Sequence, residues 1–108
     1  MRIEYENEEL EAFILHNIAS GHPYRKYKSN SRLRRDLDKV MRIMGNVGCC
    51  SDLKRYGALH YEPLLYDRQG TSSVRVGFKS KYRLIFTEHD DGIRICLIEL
   101  DESHYGDE

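Results

Sequence analysis

Apolar and polar residues alternate most clearly in the C-terminal third of the chain. Val74, Val76 and Phe78 are separated by charged residues or glycine, which is typical of a strand with one buried face. After a short turn, residues 82–87 predict a second strand that runs antiparallel to the first. This pair of strands is the centre of the predicted fold.

A third strand is predicted after a turn at residues 90–92, where Gly92 is free to adopt a positive φ. Residues 93–100 are almost continuously apolar, as expected of a central strand that is covered on both faces. Cys96 lies within this run and is interpreted as a small core residue. The pattern therefore predicts a three-stranded antiparallel meander with a polar tail.

The first part of the chain predicts a strand and an amphipathic helix. Ile3 and Tyr5 alternate with polar residues, and Asn7 has the side chain of an N-cap. The buried stripe of the helix is predicted to consist of Leu10, Phe13, Ile14 and Ile18. Gly21 and Pro23 are expected to end this helix.

A second amphipathic helix is predicted to begin near Asn30 or Ser31. Its apolar stripe consists of Leu33, Leu37, Val40, Met41 and Met44, and its outward basic residues are Arg32, Arg34, Arg35, Lys39 and Arg42. A short helix is predicted over residues 51–56. The order βαα(α)βββ predicts an α+β fold of two layers, with helices on one side of a twisted antiparallel sheet, in a single domain over residues 1–108.

Charge is distributed unevenly, although the net charge is only −1. Residues 24–83 hold 15 Lys and Arg against 5 Asp and Glu, a balance of +10, whereas the remaining segments hold 2 against 13, a balance of −11. This asymmetry favours either a polyanion-binding face or acidic ends that fold over a basic middle. Residues 24–30, which are basic and contain two tyrosines, are either a phosphate-contacting loop that stacks on bases or a solvated linker.

Other features exclude several classes of protein. No apolar run approaches the roughly 20 residues of a membrane helix, and the acidic N-terminus lacks the layout of a signal peptide, so we expect a cytoplasmic location and no membrane partner. Cys49, Cys50 and Cys96 have no metal-ligand spacing, and we expect no cofactor or metal. The adjacent cysteines are interpreted as structural or incidental, with a redox role as the alternative.

Polar residues that suit metal-free RNA cleavage are predicted to converge on one face of the sheet. They are Glu62, Arg75, Lys79, Lys81, Arg83, His104 and Tyr105, with His60 as a second choice of acid or base. Such cleavage needs a base for the ribose 2′-hydroxyl, cations for the phosphate and an acid for the departing 5′-oxygen. The alternative interpretation is that these are ordinary solvated residues.

Three short motifs resemble the RelE/ParE superfamily of bacterial toxin–antitoxin toxins, especially its HigB and YoeB branches. Glu62-Pro63-Leu64 is similar to the Glu-Pro-Leu of YoeB-type toxins. Residues 73–76 and 82–86 resemble the paired strands that each contribute an arginine to a phosphate site. Ser103-His104-Tyr105 is similar to the His-Tyr ending, and Leu59-His60 with residues 67–70 resembles a run in HigB toxins. The resemblance covers about the C-terminal half of the chain.

The resemblance implies a RelE-like βααβββ fold and a metal-independent endoribonuclease that cleaves mRNA in the ribosomal A site. The implied catalytic roles are Glu62 as general base, Arg75 and Arg83 as phosphate stabilisers, His104 as general acid and Tyr105 as its orienting residue. The implied RNA-binding residues are Lys79, Lys81, Arg68, His60, Arg32 and Arg35. The implied partners are mRNA, the ribosome and a cognate antitoxin, a HigA-like helix-turn-helix protein that alone links the toxin to operator DNA.

Two departures from the family pattern leave alternatives open. Leu65 stands where both branches have a lysine, so this cation is either missing or supplied by Lys79 or Lys81. HigB-like toxins end in an acid-Tyr-His sequence, whereas this chain continues for three residues past His104 and Tyr105. A ParE-like poison of DNA gyrase, which needs no nuclease residues, and an inactive binding module of the same fold are the alternative functions.

Overall fold

The structure, a computed structural model, describes residues 1–19, 24–65, 68–77 and 80–100. Within these ranges the strands are β1 (Arg2–Tyr5), β2 (Glu62–Pro63), β3 (Thr71–Arg75), β4 (Tyr82–His89) and β5 (Gly92–Leu100), and the α-helices are α1 (Glu8–His16) and α2 (Ser31–Asn46). The same ranges contain short 3₁₀ segments at Tyr24–Tyr27, Cys50–Arg55 and Gly57–Leu59. In this part of the chain, no helix combines the length and apolar composition needed to cross a membrane.

Asparagine side chains cap both α-helices at their starts. The sequence predicts Asn7 as the cap of α1, and it predicts that α2 begins near Asn30 or Ser31. The Asn7 side chain accepts a hydrogen bond from the Leu10 amide at 2.9 Å, and the Asn30 side chain accepts one from the Leu33 amide at 3.0 Å. Each bond satisfies one of the amides that have no partner in the first turn of a helix. These local signals therefore fix where α1 and α2 begin.

α1 ends earlier than the sequence predicts. Asn17 adopts the left-handed conformation, with φ 54, directly after His16. Asparagine is one of the few residues other than glycine that enters this region at low cost, and it ends helices in the same way. The prediction that Gly21 and Pro23 end the helix is therefore wrong, and Ile18 is exposed rather than part of the buried stripe.

Arg34 does not point outward as predicted. Its guanidinium donates hydrogen bonds to the carbonyl oxygens of Phe13 at 2.7 Å and Ile14 at 2.6 Å, and it pairs with Asp38 at 2.7 Å. A cation next to the last carbonyls of a helix satisfies them and stabilises the negative end of the helix dipole. Arg34 therefore joins α2 to the C-terminal end of α1.

The hydrophobic core lies between the helices and one face of the sheet. The helices contribute Leu10, Phe13, Ile14, Leu33, Leu37, Val40 and Met44, and the sheet contributes chiefly Val74, Leu84, Phe86, Ile93, Ile95 and Ile98. Tyr24 and Tyr27 are also buried, and the Tyr24 ring stacks on Phe13 with 5.6 Å between centroids. Because these rings belong to the core, the interpretation of residues 24–30 as a base-stacking loop is wrong.

The sheet has the strand order β1-β5-β4-β3-β2 in the described part of the chain. β1 runs parallel to β5, and the remaining neighbours are antiparallel, so the predicted α+β fold is confirmed with one parallel pair added. β3 begins at Thr71 and ends at Arg75, which is earlier than the alternation predicted. β2 is an edge strand. Pro63 is tolerated there because its nitrogen, which carries no hydrogen, lies on the side of β2 that faces away from β3.

A β-bulge in β5 decides which of its side chains face the helices. Phe86 of β4 pairs with Ile95, but the preceding Ile85 pairs with Leu97, so Cys96 is an extra residue. The bulge shifts the alternation, and Ile98 is buried in the core while Leu97 is partly exposed. The prediction of a strand covered on both faces is therefore wrong, and Cys96 is half-buried at the bulge instead of lying in the core.

Candidate functional site

A row of charged side chains crosses the outer face of the sheet, the face opposite the helices. Arg75 of β3 pairs in register with Arg83 of β4, and Arg83 pairs in register with Glu99 of β5. Side chains at paired positions lie on the same face, with Cβ atoms roughly 5 Å apart. Two adjacent guanidinium groups repel each other unless an anion lies between or beside them. The two arginines therefore need a negative charge beside them.

Arg83 lies at the centre of this row, between two carboxylates. Its Nη2 and Nε donate to Glu99 Oε2 at 2.8 and 3.2 Å, and its Nη1 lies 3.8 Å from Glu62 Oε1. The Arg83 and Glu99 side chains are only 19% and 20% exposed, so solvent screens this pair less than an ordinary surface ion pair. Both carboxylates hold the guanidinium of Arg83 in a defined orientation.

Arg68 makes the second ion pair of Glu99. Its Nη1 donates to Glu99 Oε2 at 2.7 Å, and its Nη2 donates to Glu99 Oε1. Arg68 belongs to the connection between β2 and β3, whereas Glu99 belongs to β5, so this ion pair spans β3 and β4 across the outer face. Ser73 and Ile85, which lie on this face, are accordingly only 2% and 4% exposed.

The two arginines change the acid–base behaviour of Glu99. The hydrogen bond from Arg68, more than the one from Arg83, holds the pKa of the Glu99 carboxyl below its ordinary value, although partial burial opposes this shift. Because the pKa is lower in the folded than in the unfolded state, ionised Glu99 stabilises the fold above the unfolded pKa. This stabilisation is lost as the pH falls through the folded pKa.

We expect the wild-type protein to lose stability more steeply in acid than the Glu99→Gln variant. The difference in the free energy of unfolding develops as the pH falls below about 4.3, the ordinary glutamate pKa. Urea unfolding measured from about pH 7 to about pH 3 checks this expectation. Parallel pH profiles of the two proteins would show that Glu99 has no lowered pKa in the folded state.

Glu62 reaches the row from β2, where it pairs in register with Ser73. Its side chain is 40% exposed and lies near Arg83 and near His60, whose Nε2 is 4.0 Å from Glu62 Oε2. His60 precedes β2 in the left-handed conformation, with φ 48, which directs the chain from the 3₁₀ segment into this strand. The Glu62 carboxylate and the His60 imidazole thus lie together at the β2 edge of the row.

The remaining predicted site residues lie elsewhere or outside the described residues. Arg32 and Lys81 line a pocket of about 240 Å³ beside the start of α2, and Arg35 lines a groove of about 560 Å³ between α2 and residues 56–59. Neither cavity includes Glu62, Arg75 or Arg83. The predicted roles of Lys79, His104 and Tyr105 concern residues outside the described ranges.

Glu99 is the residue of the row that the sequence interpretation missed. A glutamate that interrupts the apolar run at residues 93–100 was the available signal, since a charge in a central strand needs a partner. The face of the sheet on which the Glu99 side chain lies depends on the bulge at Cys96, which no pattern in the sequence predicts. The pairing of Arg68 with Glu99 could not be predicted either, because it joins the β2–β3 connection to the last strand.

A second polar cluster lies around Glu88 near the end of β4. The hydroxyls of Tyr61 and Ser72 donate to Glu88 Oε2 at 2.5 and 2.7 Å. Partial burial raises the pKa of Glu88, but these hydrogen bonds outweigh it and hold the pKa below its ordinary value. Burial, and then the charge of Glu88, raises the pKa of the Cys50 thiol to about 12. A thiol that stays protonated is a poor nucleophile, so Cys50 fits the structural interpretation better than the redox one.

Comparison with known proteins shows which solved structures share this fold. No family model matches the chain, and no curated protein matches it in sequence. Among solved structures, YafQ from E. coli strain BL21(DE3) superimposes with a TM-score of 0.55 at 15% identity, covering 97% of this chain and 98% of that chain. The YoeB/ParE toxin from Agrobacterium tumefaciens gives a TM-score of 0.52 at 13% identity, covering 93% and 98%. The chain has the RelE/ParE toxin fold.

A third structure with this fold contains a partner protein. The YoeB–YefM complex from Staphylococcus aureus matches with a TM-score of 0.51 at 18% identity, covering 92% of this chain and 94% of that chain. The RelE/ParE fold accounts for the N-terminal strand, the helices and the sheet over nearly the whole chain, so the predicted RelE-like fold is confirmed. At 13–18% identity, this likeness concerns the fold and leaves the activity to be argued from the site.

Proposed function

We propose that this protein is the toxin of a toxin–antitoxin pair and that it cleaves mRNA without a metal ion at the ribosomal A site. The observation that carries the proposal is the position of Arg83, which lies between Glu62 and Glu99 and beside Arg75 on the outer face. This arrangement combines a carboxylate base with two phosphate-binding cations, the groups that RNA cleavage by its own 2′-hydroxyl requires.

In the proposed reaction, the Glu62 carboxylate takes the proton of the ribose 2′-hydroxyl. The 2′-oxygen attacks the adjacent phosphorus, and the bond to the 5′-oxygen breaks, which leaves a 2′,3′-cyclic phosphate on one product. Arg75 and Arg83 stabilise the charge that develops on the phosphate oxygens, because a guanidinium fork matches two such oxygens. The departing 5′-oxygen takes a proton from a general acid.

The general acid is assigned to His104, oriented by Tyr105, on the basis of the resemblance to YoeB-type toxins. Both residues lie outside the described ranges. His60 is the alternative acid, supported by the 4.0 Å between its Nε2 and Glu62 Oε2. Lys79, Lys81 and Arg68 are proposed to bind the RNA backbone, and Arg32 and Arg35 to face ribosomal RNA.

The proposed partners follow from the same function. A toxin of this kind acts in the cytoplasm and needs a cognate antitoxin, which the resemblance suggests is a HigA-like helix-turn-helix protein. The YoeB–YefM complex, a solved structure with the same fold, supports the expectation of a protein partner. The toxin would reach operator DNA only through that partner. A small helix-turn-helix reading frame next to the gene would support this part of the proposal.

The proposal predicts that Glu62→Gln lowers RNA cleavage by about 10²–10⁴-fold, the usual contribution of a general base. Mapping mRNA 5′ ends after induction of each protein measures the effect, and the same assay on naked RNA tests whether the ribosome is needed. Glu4→Gln is the matched control, because Glu4 is also an ion-paired strand glutamate but pairs with Arg2 and Arg94 far from the site.

Three outcomes would contradict parts of this proposal. Equal cleavage by wild-type protein and Glu62→Gln would exclude Glu62 as the base. Equal cleavage of naked and ribosome-bound RNA would remove the ribosome from the mechanism. Toxicity with DNA breaks and intact mRNA would instead identify a poison of DNA gyrase.

A further inference from the structure

The Glu99 carboxylate accepts four hydrogen bonds from two arginines on the outer face. Arg83 donates through Nε and Nη2 to Oε2, and Arg68 donates through Nη1 to Oε2 and through Nη2 to Oε1. We propose that this carboxylate is an internal substitute for an RNA phosphate, and that Arg68 and Arg83 together bind that phosphate when Glu99 is displaced. The inference rests on the proposed function, because it takes RNA as the ligand.

The hydrogen bonds that Arg83 makes to Glu99 decide the route by which a phosphate can bind. A guanidinium binds an oxyanion best through two parallel N–H groups on one edge of its plane. The edge formed by Nε and Nη2 faces Glu99, and Nη1 faces Glu62 at 3.8 Å. A phosphate that is to receive two hydrogen bonds from the Nε and Nη2 edge of Arg83 must therefore take the position that the Glu99 carboxylate occupies.

The equal charge of a phosphodiester and a carboxylate makes this exchange possible. Arg68 and Arg83 both pair with Glu99, and Arg83 also lies near Glu62. A phosphodiester carries one negative charge, as the carboxylate does, so exchange leaves the charge around both arginines unchanged. Arg75 lies beside Arg83 in the row and provides a further cation for the same backbone. RNA that contacts both cations can thus compete with the internal carboxylate.

The internal carboxylate also makes the binding of other anions weaker. A ligand that must first displace Glu99 binds with an apparent affinity reduced by the fraction of protein in the displaced state. A single inorganic phosphate contacts too few groups to offset this loss, whereas RNA held along the row contacts several. Arg68 and Glu99 would therefore favour extended RNA over small anions, and Arg68 would be a third phosphate-binding arginine of the site, after Arg75 and Arg83.

Binding of a non-cleavable RNA tests the proposal. A fluorescent oligonucleotide with 2′-O-methyl riboses is titrated with the protein at several salt concentrations. We expect Glu99→Gln to bind about tenfold more tightly than the wild type, because the competing charge is gone. Arg68→Gln added to this variant should remove most of the gain. Glu4→Gln, which changes the net charge equally at another ion pair, should bind like the wild type.

The opposite results would overturn the proposal. If Glu99→Gln binds no more tightly than Glu4→Gln, or if its gain survives Arg68→Gln, Glu99 only positions the arginines. Should Glu99→Gln fail to fold, Arg68→Gln alone decides, since a phosphate-binding Arg68 predicts weaker RNA binding and a structural one predicts no change. Thermal shifts with inorganic phosphate separate this inference from the proposed function. A larger shift in Glu99→Gln than in wild type would support the internal carboxylate even if neither protein bound RNA.

Discussion

Arg83→Ala is expected to lower RNA cleavage by about 10³-fold and to leave cells that express the variant viable. Arg83 is the cation at the centre of the row, where its Nη1 lies 3.8 Å from Glu62 and its Nε and Nη2 bind Glu99. Alanine removes the charge that stabilises the phosphate and also releases both carboxylates. Growth after induction and mapping of mRNA 5′ ends measure the two effects.

Arg83→Lys separates the charge of this residue from its shape. Lysine keeps the positive charge but lacks the planar fork, so we expect an activity between those of the alanine variant and the wild type. Arg94→Ala is the matched control, because Arg94 is an exposed arginine of β5 that pairs with Glu4 at 3.3 Å. Melting curves of all three variants establish that they fold. Full toxicity of a folded Arg83→Ala protein would exclude the ribonuclease mechanism.

The parts of this structure that could be predicted depend on local signals. Asn7 and Asn30 cap the helices because an asparagine side chain can reach the amide three residues further along the chain. The alternation around Arg75 and Arg83 predicts strands whose polar residues share one face, and the register brings these two arginines side by side. The fold and the cationic half of the site therefore follow from neighbouring residues.

The parts that could not be predicted depend on contacts between distant elements. Glu99 faces Arg83 only because the bulge at Cys96 shifts the alternation of β5. Arg34 turns inward because the end of α1 offers it two carbonyl oxygens. Tyr24 is buried because the Phe13 ring lies within stacking distance. A sequence pattern contains the side chains of these contacts but not the path of the backbone that brings them together.

The role of Gly92 also depends on a contact between distant elements that the sequence does not predict. Its substitution has the largest expected effect on stability. The sequence suggests a turn glycine with positive φ, but Gly92 is the first residue of β5 and pairs with Arg2 of the parallel strand β1. A Cβ atom at this position would lie 1.9 Å from the backbone oxygen of Arg2. Glycine is required here because the two backbones approach closely, not because the turn at residues 90–91 needs a positive φ at Gly92.

We expect Gly92→Ala to lower the free energy of unfolding by about 3 kcal/mol, at the upper end of the cost of overpacking. The clash is with backbone, so the methyl group fits only if β1 moves away from β5, and Ile3 and Tyr5 then lose their contacts with the core. Thermal unfolding should show a melting temperature lower by about 15 °C. Slower hydrogen exchange at β1 in the wild type than in Gly92→Ala would show that the stability is lost at this strand.

Gly45→Ala is the matched control for this substitution. A Cβ built at Gly45, in the last turn of α2, has no atom within 4 Å apart from its chain neighbours and the backbone of its own helix. Alanine is favoured over glycine in a helix by up to about 1 kcal/mol, so this variant should be slightly more stable than the wild type. The two substitutions add the same methyl group, which meets a neighbouring strand at Gly92 but no neighbouring element at Gly45. Equal melting temperatures of Gly92→Ala and Gly45→Ala would contradict the close parallel pairing of β1 with β5 and the contact of Gly92 with Arg2.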